Sequence, residues 1–220
     1  MQLMLSILIP STPDRRKDLP KLLECISEQS YTRKVDVFDI GEITASKYFD
    51  LLSEIEIIVF EDEKIMTIGE KRELLYKYAK GGYSIQIDSD DLLAPNAIEL
   101  ILKAIKSNPE VDVITFEEYV NIDGKEYKSN HSNEYADWEG DGNSLLPDGF
   151  HFHRTPFFKS VIRTELAKSV PVPRLRWAED HQWAQALKPH IKSEIHISEP
   201  LYRYIHISSN PTERYGLNRN

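Results

Sequence analysis

The chain has 220 residues, of which 40% are hydrophobic and 29% charged, and its 27 basic and 36 acidic side chains leave a net charge of −9. That is enough for one substantial core. The acidic balance speaks against a broad basic surface for non-specific nucleic-acid binding and leaves open only a local groove of Arg174, Arg176, Arg203 and Arg214.

Residues 3–9 form a near-continuous apolar run that is too short to span a bilayer and lacks a basic leader, so it reads as a buried strand of a cytoplasmic protein. It empties into Pro10-Ser11-Thr12-Pro13. Leu19, Leu22, Leu23 and Ile26 recur at helical spacing, with the lone Cys25 among them as a small buried hydrophobe; one cysteine excludes a disulfide framework. A strand is expected over 34–40, then a helix over 45–53 capped by Thr44, then a strand over 55–60. Thr67 and Glu70 form a capping-box pattern for a helix running to about Lys80, where Gly81-Gly82 stops it. The strand 83–87 follows, and then a helix begins near Pro95 with Ile98, Ile101, Leu102 and Ile105 on one face. Strand and helix thus alternate, as a parallel α/β sheet requires.

After the strand 111–116 the pattern changes. Asp123-Gly124 marks a two-residue hairpin turn, and residues 129–149 are polar and without period, the kind of segment that serves as a functional loop. A short helix over 178–187 ends before Pro189, strands are expected over 194–197 and 201–205, and the tail from residue 210 reads as flexible. Nothing justifies cutting the chain into separate domains.

The acidic tetrad Asp88-Ser89-Asp90-Asp91 closes the strand 83–87. Carboxylates crowded at the end of an apolar strand repel one another, and a hard divalent cation such as Mg²⁺ or Mn²⁺ is the simplest reason to keep them. An acidic turn that favours the next helix dipole is the plainer alternative.

Four segments, LSILIPSTPDRR, IEIIVFEDEK, TIGEKRELLYKYAKGGYSIQIDSDD and WAEDHQWAQAL, occur in the order of the family-two glycosyltransferases with the GT-A fold, and the resemblance covers most of the chain. It implies an α/β fold with a mostly parallel central sheet flanked by helices and a small antiparallel part in the second half. Residues 1–116 would then bind a UDP- or GDP-linked sugar across the strand ends, and 117–209 the acceptor. By the same resemblance Pro10, Ser11 and Thr12 line the nucleotide pocket, and Asp62, with Glu61 competing, holds the base or ribose. Arg72 and neighbouring Lys71 meet the diphosphate, although Glu73 stands where the family has Asn. Asp88 and Ser89 contact the nucleotide, and Asp88 and Asp90 hold Mn²⁺ or Mg²⁺, with Asp91 as helper. Asp180 of the pair Glu179-Asp180 would be the general base of an inverting transfer, oriented or replaced by Glu179. His206 matches a later metal-binding His, although the usual spacing falls on Arg203, and His151, His153, His181 and His196 compete. Trp183 is expected in the core and Trp177 is left open.

The rival reading is a catalytically silent nucleotide- or carbohydrate-binding protein on the same fold. An acceptor hydroxyl on a glycan ranks first, and DNA is the acceptor least supported by charge. No Gly-Lys-Ser/Thr loop, nucleophile elbow or EF-hand loop is present.

Overall fold

The computed structural model describes residues 3–30, 33–40, 43–50 and 54–207; the expected tail and Arg214 lie outside them. The chain runs through β1 (Leu5–Ser11), a single 3-10 turn (Pro13–Arg15), α1 (Leu19–Ser30), β2 (Arg33–Ile40), β3 (Ile43–Phe49), β4 (Ile55–Glu61), α2 (Ile68–Tyr78), β5 (Tyr83–Gln86), β6 (Leu92–Leu93) and α3 (Ala97–Ser107). It continues through β7 (Val113–Ile122), β8 (Lys125–His131), β9 (Trp138–Glu139), β10 (Phe152–Arg154), β11 (Val161–Arg163), α4 (Thr164–Ser169), α5 (Glu179–Leu187) and β12 (Glu194–His206).

Every residue of β1 is buried, because the strand lies at the parallel centre of the sheet between β4 and β5. Side chains alternate along it, so one strand feeds two cores. Ile7 and Ile9 pack with Leu22 and Ile26 of α1 and with Ile98 and Ile101 of α3. Leu8 packs on the other side with Leu75 and Tyr76 of α2 and with Trp183 and Leu187 of α5. Trp183 is fully buried and stacks on Phe158 at 4.4 Å, as expected of a core residue. Cys25 is only partly buried and donates to the Leu93 carbonyl at 3.3 Å.

The α/β fold with a parallel centre is the one expected, but antiparallel pairing is wider than the sequence suggests and flanks the centre on both sides. Where a helix is expected over 45–53, residues 45–49 belong instead to strand β3, antiparallel to both β2 and β4, and 51–53 lie outside the described residues. Cross-strand partners override a helical pattern: Ala45 is buried in the core, and Lys47 Nζ lies 3.7 Å from the buried Glu56 of β4. The two short strands expected over 194–205 are one strand, β12, which continues through irregularities around Pro200 because it lies parallel along the whole of β7. The Asp123-Gly124 hairpin between β7 and β8 forms as expected, with φ of 51° and 85°. The segment 129–149 is less irregular than its composition suggests, since it holds the end of β8 and all of β9. No helix among the described residues is long and apolar enough to cross a membrane.

Candidate active site

The carboxyl ends of β4, β1 and β5 lie side by side and bring the first three candidate segments together. Pro10 and Ser11 are buried at the end of β1, where Ser11 Oγ finds no hydrogen-bond partner among the described residues; Thr12 is half-buried. Asp62, just beyond β4, forms a buried ion pair with Lys71 and accepts from the Met66 N–H at 2.9 Å. Burial opposes the Asp62 charge, but Lys71 and the Met66 N–H outweigh it and hold the carboxyl below its usual range. Lys71 also donates to the Ser11 carbonyl at 2.6 Å, so it ties the ends of β1 and β4 together. Glu61 faces Arg16 instead, at 3.3 Å.

The capping box that starts α2 is complete, with Glu70 N donating to Thr67 Oγ1 and Thr67 N to Glu70 Oε2. It fixes the turn that carries Lys71 and Arg72. Gly69 lets this turn lie against the 173–175 segment: its N–H donates to the Leu175 carbonyl at 3.1 Å, and a Cβ there would collide with the Pro173 carbonyl oxygen.

Arg72 is the hub. Its guanidinium donates to Asp88 Oδ1 at 2.8 Å, to Glu179 Oε1 at 3.1 Å and to Gln86 Oε1 at 3.3 Å, and sits 4.7 Å above the Phe158 ring. Burial disfavours its charge, yet Asp88 and Glu179 raise its pKa beyond the ordinary arginine value. Within the tetrad Ser89 is buried, Asp90 pairs with Arg15, and Asp91 is enclosed by Lys159 at 3.3 Å, the Tyr202 hydroxyl at 2.6 Å and the Ile205 N–H at 2.8 Å. Burial first, and the charge of Asp88 after it, push the Asp90 carboxyl up against the pull of Arg15.

The pair at the start of α5 follows Ala178, which adopts a left-handed φ of 61°. Glu179 turns inward to Arg72, and burial holds its carboxyl above the usual range. Asp180 Oδ2 accepts from Arg154 Nη2 at 2.6 Å. Burial opposes the Asp180 charge too, but Arg154 and the His181 N–H outweigh it, so the two adjacent carboxyls are driven in opposite directions. Asp88, Arg72, Asp180 and Arg154 line one cavity of about 540 Å³ together with Tyr127 and the half-exposed Trp138, whose ring centroid lies 5.3 Å from the Arg154 guanidinium. Trp177 stands 70% exposed in the chain just before this helix.

Lys159, Glu118, Arg154 and Tyr202 were not singled out by the sequence. Lys159 is buried, donates to Glu118 at 3.1 Å, and lies 3.7 Å from the Tyr204 ring centroid. Arg154 sits 3.6 Å from the Phe157 ring centroid while it holds Asp180. The run from Phe150 to Lys159 interleaves aromatic and basic residues, and that was the available signal. Of the arginines considered for a basic groove, Arg203 pairs with Glu126 at 3.0 Å, and the exposed Arg174 and Arg176 lie near Glu70.

Asp88 and Asp90 offer hard oxygens that suit Mg²⁺ or Mn²⁺, their side chains keep 30% and 19% exposure, and each already faces a guanidinium, so the strand end accommodates positive charge. Among the described residues no three His, Cys, Asp or Glu side chains gather to hold a metal, so the remaining ligands would come from phosphate and water. His206 stands at the end of β12 with its carbonyl accepting from Asp123 N at 2.9 Å and its ring 6.3 Å from Tyr204. Of its competitors, His153 is bound between Asp148 and Glu139, His181 lies by Asp137, His196 by Thr115, and His151 accepts from the Lys128 N–H.

A family model described as Glycosyl transferase family 2 matches residues 6–168. An uncharacterized glycosyltransferase of Haemophilus influenzae is 27% identical over 112 residues, which are 50% of this chain and 37% of that protein. Among solved structures, S. aureus TarS 1-349 in complex with UDP-GlcNAc is similar at a TM-score of 0.59 and 15% identity, over 96% of this chain and 61% of that one. The mannosyltransferase PcManGT of Pyrobaculum calidifontis, in complex with GDP-Man and Mn²⁺, is similar at 0.53 and 10% identity, over 98% and 59%. The chain therefore spans less than two thirds of each, and the two structures bear on the fold alone.

Proposed function

The chain belongs to glycosyl transferase family 2, and on that premise we propose an inverting, divalent-metal-dependent enzyme that moves a sugar from a nucleoside-diphosphate donor to an acceptor hydroxyl on a glycan. Residues 1–116 hold the donor and 117–209 the acceptor in this reading. The observation that carries it is the single cavity lined by both Asp88 and Asp180, with Arg72 joining the acidic strand end to the start of α5.

Asp88 and Asp90 would hold Mn²⁺ or Mg²⁺, which when bound supplies positive charge beside the departing diphosphate. Pro10, Ser11 and Thr12 stand at the end of β1, where this reading puts the nucleotide. Arg72 keeps Asp88 fixed and would offer its charge to the diphosphate. Asp180 takes the proton of the acceptor hydroxyl as that oxygen attacks the anomeric carbon opposite the leaving group. Arg154 keeps Asp180 ionised and aimed, and Glu179 holds Arg72 rather than the acceptor. Trp138 and Tyr127 give the cavity an apolar surface suited to the C–H face of a sugar ring.

The test is a screen of nucleotide-sugars with Mn²⁺ or Mg²⁺ for thermal stabilisation and slow donor hydrolysis, repeated with Asp90→Ala. The reading requires a metal-dependent response to at least one donor that Asp90→Ala removes. Silence towards every donor would overturn it.

A further inference from the structure

The loop that leaves β1 is cross-linked over the strand ends by ion pairs. Lys64 pairs with Asp14, Arg16 with Glu61 at 3.3 Å and Glu63 at 2.6 Å, and Arg15 with Asp90. These contacts join the loop after β1 to those after β4 and β5, where the donor is placed in the reading above.

The three aspartates of the tetrad each face a cation, and the cations differ in how firmly they are held. Arg72, on Asp88, is buried in α2 and fixed by Glu179 and Gln86 as well. Lys159, on Asp91, is buried between Glu118 and the rings of Tyr202 and Tyr204. Arg15 belongs to a single 3-10 turn with no buried residue, and its side chain is 52% exposed while that of Asp90 is 19% exposed. Side chains this exposed are loosely held and readily exchange partners. Asp90, only 19% exposed and two residues from the carboxylate of Asp88, is poorly served by solvent alone and favours a cation at its side. The seat on Asp90 is thus filled by the one cation of the three that can leave without disturbing the core.

We propose that Arg15 is an internal counter-cation that occupies Asp90 until a divalent metal displaces it, and so sets the affinity of the acidic strand end for metal. The inference rests on Asp90 being a metal-holding carboxylate. It makes Arg15 a positioning residue that keeps the tetrad charge-balanced and the β1 loop closed between turnovers.

The experiment titrates Mn²⁺ alone into the full chain and reads free Mn²⁺ by electron paramagnetic resonance. Arg15→Gln should bind Mn²⁺ about two- to five-fold more tightly than the natural chain, the range expected when a loosely held ion pair no longer competes. Arg16→Gln, on the same loop but paired with Glu61 and Glu63, should leave the affinity unchanged. Asp90→Asn should remove the gain from the Arg15→Gln background. Unchanged or weaker binding by Arg15→Gln overturns the proposal, as does an equal gain from Arg16→Gln, which would make the effect one of net charge. If neither the natural chain nor Arg15→Gln takes up Mn²⁺, alone or with inorganic pyrophosphate to supply the remaining ligands, Asp90 is not a metal ligand, and the functional reading fails together with the inference.

Discussion

Arg154 donates to Asp180 at 2.6 Å from strand β10, and both residues line the same cavity. Burial alone would push Asp180 up; with Arg154 present it lies below the usual aspartate range. Removing the guanidinium leaves burial unopposed by its main partner. In Arg154→Met the acidic limb of the pH profile of kcat/KM should therefore move to higher pH, because a base must be deprotonated to act. A profile that keeps its limb and only falls in height would show that Arg154 does not tune Asp180.

Asp180→Asn keeps the size of the side chain and loses its basicity. Turnover should fall by about 10²- to 10⁴-fold, the usual contribution of a positioned base. Donor affinity, measured by thermal shift with the responding nucleotide-sugar, should stay near that of the natural chain. A silent binding protein on this fold would show no turnover to lose.

Arg72 holds together two segments 107 residues apart, from Glu179 to itself, and is buried while doing so. Arg72→Met leaves Glu179 buried with no partner and frees Asp88. Losing one partner of a buried pair costs about 3–5 kcal/mol. Urea unfolding should report a loss of that order, and Glu179→Gln combined with Arg72→Met should recover part of it.

Gly69 sits where any Cβ meets backbone rather than a movable side chain. Gly69→Ala must push α2 away from the 173–175 segment, which leads directly to Glu179 and Asp180. A destabilisation of about 1–3 kcal/mol is expected from such overpacking. Activity should drop further than stability does, since the displaced segment carries the candidate base.

Lys159→Met exposes the other buried cluster. Burial opposes the Glu118 charge, but Lys159 and His131 together bring its carboxyl down to about 2 from an ordinary 4.5. A depressed carboxyl stabilises the fold above its unfolded pKa, and that stability is lost as pH falls through the folded value. The natural chain should exceed Lys159→Met in stability at neutral pH, and the gap should narrow as pH is lowered from about 4.5 towards 2. A gap that is constant over this window would mean that packing, not charge, is what Lys159 provides.

Features set by residues close in sequence were readable before the structure. The capping box at Thr67 and Glu70 and the turn at Asp123-Gly124 are each complete within four residues, and both formed. The strand ends carrying Ser11, Asp62 and Asp88 could be placed because apolar runs mark central strands whatever their neighbours are. Strand β3 was not legible, since its conformation depends on pairing with β4 rather than on its own pattern. Lys159 and Arg154 stand in an aromatic and basic run, but what gives them a role is pairing with Glu118 and Asp180, 41 and 26 residues away, which no local pattern encodes.

Strand β12 reaches back to hold Asp91 through the Tyr202 hydroxyl and the Ile205 N–H, and Asp88 N donates to that same hydroxyl at 3.3 Å. A nascent chain emerging in order has its tetrad in solution long before these clasps exist. The turn can reach its final shape only after residue 205 has cleared the ribosome, so the tetrad waits on partners made 111 and 114 residues after Asp91 itself.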